Sequence, residues 1–232
     1  MVKRIEVYGL DPAIEPDEEK LHRVIKLGLG SVPVAGALAA ELFTSLFESP
    51  LAKRRTEWMT KVTEVVNELI DEGVLTEDNL RENEVFVSTV AQTCTIALRN
   101  HQEEKLKALQ NVVRNSAVPS RLSDDYRQLF LSFVDVCTVT HIRFICIFSG
   151  PEEWALENQV QFPMWSMGGL VNVVEHCLPD LVGGRDLYEP IWKDLYQRGY
   201  VDTDSLGGTM SREGMLAPRL TELGRRLFKF IS

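Results

Sequence analysis

The chain has 232 residues, 44% of them hydrophobic and 25% charged, with a formal net charge of −9 and an isoelectric point near 5.1. That length allows one large domain, or a main domain with a smaller one, and a substantial buried core. The acidic balance excludes a protein whose whole surface grips nucleic acid, because each phosphate contact needs local positive charge.

Lys3 to Tyr8 alternates apolar and polar residues and predicts a short strand, broken by the segment from Asp11 to Pro16. A helix is expected from Asp17 to about Leu27, interrupted by Gly28, Gly30 and Pro33. A second, rich in small residues, is expected over about 34–47 and is ended by Ser49-Pro50. Residues 52–72 form the clearest amphipathic pattern, with Trp58, Met59, Val62, Val65, Val66, Leu69 and Ile70 on one face and Gly73 placed as a C′ glycine. Thr76 caps a short turn to Arg81. The next helix runs over about 84–99, with Phe86, Val90, Cys94 and Ala97 or Leu98 inward. Asn100 followed by Glu103 has capping-box spacing for a helix over about 102–115 that turns Leu106, Leu109, Val112 and Val113 inward.

Ser123 then caps a single helix over about 124–148. It is apolar almost all round (Phe130, Phe133, Val134, Cys137, Phe144, Ile145, Phe148), as befits the centre of a bundle. Gly150-Pro151 is the expected domain boundary, giving a helical bundle over 1–150 and a smaller domain over 151–232. Helices near 151–158 and 165–178 precede the most informative stretch of the chain. There Pro190 to Gln197 reads as a short helix stopped by Gly199, Tyr200-Val201 starts a strand, and residues 203–215 hold three glycines as a flexible tip. Leu216 to Leu220 returns, and Thr221 caps a last helix lined by Leu223, Leu227 and Phe230.

This order resembles the C-terminal half of winged-helix regulators of the MarR and PadR kind, in which Leu-Thr-x-x-Gly opens the closing helix, here Leu220-Thr221-Glu222-Leu223-Gly224. The resemblance covers roughly residues 160–232 and implies a small winged-helix-like unit with a short β-hairpin. From Arg185 to Ser232 there are eight basic and seven acidic residues, a net of only +1. The expected recognition helix carries Lys193, Asp194 and Arg198 among bulky apolar residues, a composition for packing more than for reading a major groove. Nucleic-acid contact would fall to Arg198, Arg212, Arg219 and Arg225.

Lys53, Arg54 and Arg55 stand at the start of the helix expected over 52–72, where cations oppose the helix dipole. They read either as partners of Glu41, Glu48 or Glu57, the simpler option, or as a docking site for an acidic partner. Gly30-x-x-Pro33-x-x-Gly36, then Ser-Pro-Leu-x-Lys-Arg-Arg-x-x-Trp from Ser49, then Glu104-Lys105-Leu106-x-Ala108-Leu109-x-Asn111, resemble a group of uncharacterised bacterial helical proteins over about residues 25–150. That resemblance implies a bacterial origin and a helical fold without an activity; its general character is similar to some phage-defence and abortive-infection accessory proteins.

Gly28-Leu29-Gly30-Ser31 lacks the lysine and preceding strand of a phosphate loop. The small-residue row Ser31, Ala35 and Ala39 reads as a tight helix crossing. Of the four histidines, His141 lies in the most apolar helix and reads as a core residue, and His176 beside Glu175 and Cys177 does not make a metal site, because adjacent helical residues point apart. Asp135 in an apolar helix needs a partner, and Arg143 two turns on is the candidate for a buried ion pair. The four cysteines Cys94, Cys137, Cys146 and Cys177 form no Cys-x-x-Cys pair and read as buried free thiols of a reducing cytoplasm. The chain starts without an apolar signal-type segment, and the uncharged run from Leu27 to Ala40 is shorter than the ~20 residues a bilayer span needs.

The expectation is therefore a mainly α, cytoplasmic protein with no catalytic motif, no metal site and no cofactor. It would act without enzymatic activity, by binding another macromolecule, another protein or its own copies before DNA, as a phage-defence or stress accessory factor. The alternatives are a DNA-binding regulator using the C-terminal unit, and a membrane-active effector using residues 27–47.

Overall fold

The computed structural model describes the backbone from residue 35 and side chains from residue 50, apart from residues 75, 77–81 and 119–121. The strand expected over 3–8, the helix over 17–27, the glycine loop at 28–31, the turn over 77–81 and the side chains of the small-residue row lie outside the described residues. The described chain is mainly helical, with one two-stranded sheet. It divides into two compact units: residues 1–101 with 113–120, and residues 102–112 with 121–232. The boundary expected at Gly150-Pro151 falls inside the second unit.

In the first unit, α1 (Ala35–Asp71) runs straight through Pro50, which was expected to end a helix. Proline removes one hydrogen bond and crowds the preceding turn, and the helix absorbs this without stopping. The expected apolar face is buried, from Trp58 at 2% exposure to Leu69 at 1%; only Met59 is partly open. Gly73, at φ +72°, closes α1: its N–H donates to Ile70 O, and that of Val74 to Leu69 O. The second helix, α2 (Glu84–Arg99), runs antiparallel to α1, with Cys94 Sγ 3.6 Å from Met59 Sδ and Arg54 Nη1 donating to Leu98 O. Its buried side is Phe86, Thr89, Thr93, Ile96 and Ala97, so the two threonines replace Val90 and Cys94 of the expected face. Thr93 hides its hydroxyl by donating to Val90 O in its own helix.

α3 (Glu103–Ala117) contributes its last turn to the first unit and its earlier turns to the second. Asn100 does not cap it. Its side chain donates instead to Ile96 O at the end of α2, and the first α3 amides bond to Gln102 O.

In the second unit the helix expected over 124–148 is two, α4 (Asp124–Val136) and α5 (Val139–Ser149), separated by extended backbone at Cys137 and Thr138. Phe130, Phe133 and Val134 of the first and Phe144, Ile145 and Phe148 of the second are buried, whereas Leu129 and Val136 are exposed. α5, apolar nearly all round, packs against α6 (Pro151–Glu157), α8 (Arg185–Gln197) and α10 (Glu222–Ile231). Phe144 and Phe148 meet the Trp192 ring edge-on at 5.9 and 4.8 Å, and Trp192 Nε1 donates to Thr203 O. Trp192 is thus buried, whereas Tyr196, expected beside it, is 43% exposed.

The C-terminal pattern keeps its frame and loses its hairpin. Gly199, at φ +75°, ends α8. Val201 and Leu220 form a single antiparallel bridge, flanked by Asp202 N–H donating to Arg219 O and Thr221 N–H to Tyr200 O. The segment between them is no free tip. It folds as β2 (Met210–Ser211) and α9 (Arg212–Leu216), and β2 pairs antiparallel with β1 (Met167–Gly168), just before α7 (Leu170–Cys177). Pro190 lies within α8, not in its first turn. Thr221 caps α10 as expected, accepting from Gly224 N–H.

Gly224 explains the Leu-Thr-x-x-Gly pattern in packing terms. A Cβ there would overlap Tyr200 O and crowd Leu220, so glycine lets the last helix lie against the bridge. Gly224→Ala is expected to destabilise the second unit by about 1–3 kcal/mol, the usual range for overpacking; urea unfolding followed by tryptophan fluorescence reads this, and an unchanged midpoint contradicts the close approach.

Candidate functional site

A polar seam crosses the core of the second unit. The Lys105 side chain, 4% exposed, donates from Nζ to Asp135 O at 2.8 Å and to Cys137 O at 2.9 Å, the carbonyls left over where α4 stops. One turn on, His141 Nδ1 accepts from Thr138 N–H at 3.1 Å and lies 2.8 Å from Thr138 Oγ1, which caps α5. These contacts place the imidazole proton on Nε2. That atom lies 3.2 Å from Asp194 Oδ2 yet lacks the alignment of a hydrogen bond, so the attraction there is chiefly electrostatic. Asp194 also takes Arg198 Nε at 2.7 Å, and the guanidinium lies 5.6 Å from the centre of the Phe133 ring.

Burial lowers the His141 pKa against the pull of Asp194, and pushes the Cys137 thiol up to about 11. A neutral, 7% exposed imidazole and a protonated buried thiol offer solvent neither base nor nucleophile, so the chemistry of this seam is structural. All four cysteines are free thiols. Cys177 is pushed by burial to about 12, and burial also raises Cys94 and Cys146.

The structure places the residues singled out in the sequence as follows. Lys53, Arg54 and Arg55 are exposed but sit mid-helix in α1, so the unfavourable dipole that singled them out does not arise. Lys53 lies 3.8 Å from Glu57, one of its expected partners. Arg143 does not turn to Asp135. It grips Asp180 through two bonds of 2.7 and 2.8 Å, because the break at 137–138 takes the two residues off a common helix. Of the four arginines proposed for nucleic acid, Arg198 pairs with Asp194. Arg219 lies 3.8 Å from Asp202 and donates to Gly214 O, and Arg225 bonds both Glu222 and Leu220 O. Arg212 is half-buried at the start of α9.

Among the described residues, the three most exposed large hydrophobic side chains lie where no motif marks the chain. After α6, residues 158–168 contain no charged side chain. Met164 is 93% exposed and Met167 66%, and Leu156 on α6 is 82% exposed. The loop is nonetheless tied down. Phe162, Trp165 and His176 of α7 pack as three rings with centroids 5.6–5.7 Å apart, His176 Nε2 lies 2.9 Å from Gln161 O, and Val160 N–H donates to Ala155 O. The run Phe162-Pro163-Met164-Trp165-Ser166-Met167, apolar without helical or strand period, was the available signal.

No protein-family model matches the chain, and no curated protein or solved structure is detectably similar to it. The described residues hold no group of three or more His, Cys, Asp or Glu placed to bind a metal, and no described helix is long and apolar enough to cross a membrane.

The His141 shift has a measurable consequence. Its folded-state pKa lies below the ordinary 6.5, so the unfolded chain takes up the proton first as pH falls. Its contribution is present above pH 6.5 and is lost as pH drops through the folded value. His141→Asn keeps an acceptor for Thr138 and removes the titration. Its loss of stability between pH 7.5 and pH 5 in urea unfolding is expected to be smaller than that of the unaltered protein, and equal losses contradict this assignment.

Proposed function

We propose that the chain is a non-enzymatic protein that acts by binding another protein, and that the face formed by Leu156 and the Phe162–Met167 loop is its docking surface. The observation that carries this reading is the exposure of Met164, Met167 and Leu156 on a segment held in place by its own ring contacts and hydrogen bonds. Large apolar side chains left open on an ordered segment are the ordinary mark of an interaction site. The winged-helix-like frame of α8, the Val201–Leu220 bridge and α10 serves here as scaffold, with Trp192, Leu195 and Leu227 turned into the core. A reading as a DNA-binding regulator asks for free arginines, and Arg198, Arg219 and Arg225 are each engaged with an acid. The helical character of the chain with a winged-helix-like tail is similar to some phage-defence and abortive-infection accessory proteins, so a partner in a bacterial defence or stress system is part of the proposal.

Photo-crosslinking from position 164 in cells of the natural host tests this. A single defined protein, recovered from position 164 and absent from a control position such as Asp125, is the expected outcome. Crosslinks no stronger than the control contradict it, as does a nucleotide- or nucleic-acid-hydrolysing activity of the purified protein that defined substitutions abolish.

A further inference from the structure

We propose that the Leu156 and Phe162–Met167 face receives a basic, apolar segment of a different protein; this rests on the reading of that face as a docking surface. The exposed charges of α6 are acidic. Glu152, Glu153 and Glu157 lie in solvent next to Leu156, and Lys107 is the cation whose field meets that of Glu157 at Cys146. Between Arg143 and Arg185 the chain has five acidic residues and no lysine or arginine. Elsewhere in this unit, acids lie beside arginines: Asp124 with Arg127, Asp180 with Arg143, Asp202 with Arg219.

An apolar centre with an acidic border selects its occupant by charge as well as by shape. The apolar part supplies lifetime and the border supplies steering and discrimination. Methionine at the centre accommodates varied apolar side chains. Nucleic acid and anionic lipid surfaces are repelled by these glutamates. A second copy of this chain brings a further −9 and so adds net repulsion at an acidic border. The fitting occupant is a segment of another protein in which lysine or arginine flanks leucine, phenylalanine or methionine.

The test uses the full-length protein and three synthetic amphipathic peptides of one length: leucine with lysine, leucine with glutamine, and leucine with glutamate. Calorimetric titration is expected to show saturable one-to-one binding of the lysine peptide, weaker at high salt, and no binding of the glutamate peptide. Met164→Ser with Met167→Ser is expected to weaken the lysine peptide about tenfold or more. Both side chains are exposed, so the fold is unaffected. Reversing Glu152, Glu153 and Glu157 to lysine is expected to weaken it similarly.

The proposal is overturned if neither variant changes the affinity, or if reversing the remote acids Asp125 and Asp186 weakens binding as much. It is also overturned if the glutamine peptide binds as tightly as the lysine peptide while still depending on Met164; the docking surface then stands and only the basic partner falls. If no peptide depends on Met164 or Met167, both fall. Sedimentation that shows a dimer lost in the methionine variant identifies a second copy as occupant and overturns the proposal.

Discussion

One buried amine decides the course of the second unit. Where α4 ends at Val136, the carbonyls of Asp135 and Cys137 meet a buried amine, and a buried carbonyl left unpaired costs about 1–3 kcal/mol. Lys105 reaches in from α3 and takes both. His141 and Thr138 satisfy the opposite side of the gap at the start of α5. With both ends supplied, the chain turns at Cys137 and Thr138 and enters α5 in a new direction.

That turn arranges the rest of the unit. α5 becomes the central helix, with its phenylalanines against Trp192 of α8 and a carbonyl of its last turn, Phe148 O, receiving Arg219 N–H from the segment that leads to α10. Pro151 then starts α6 directly after Gly150, a place where proline gives up no hydrogen bond. The uncharged loop after α6 is fastened to α7 by His176, and β1 at its end pairs with β2 from the glycine-rich segment. The exposed methionines thus stand on a segment held by ring contacts, hydrogen bonds and strand pairing, and an ordered surface loses less entropy on binding than a loose one.

Periodicity and some caps were legible in the sequence, because these are local, although Asn100 and Ser123, expected as caps, make no capping bond. The apolar face of α1, Gly73 and Gly199 at positive φ, and Thr221 on Gly224 depend on neighbours within a few residues. Local reading failed where distant residues decide. The end of α4 depends on Lys105, some thirty residues earlier, and nothing local in the apolar run from Phe130 to Phe148 marks the break except the spacing of Thr138 and His141. Pro50 looked like a stop because local chemistry says so. The expected flexible tip was instead captured by Met167 and Gly168, more than forty residues earlier, and that long-range pairing removed the hairpin. Three of the four arginines that the DNA-binding alternative would use, Arg198, Arg219 and Arg225, lie beside acids that a count of net charge does not locate. The exposed loop was missed because apolar residues in a short aperiodic run read as core until their exposure is seen.

The dependence of this unit on Lys105 is open to a direct measurement: the unfolding free energy of Lys105→Met, which keeps most of the side-chain length and removes the donor. The predicted result is a loss of about 2–4 kcal/mol, from two buried carbonyls left without a partner. A value within about 0.5 kcal/mol of the unaltered protein, the range of an indifferent surface substitution, would contradict the central place given to this amine.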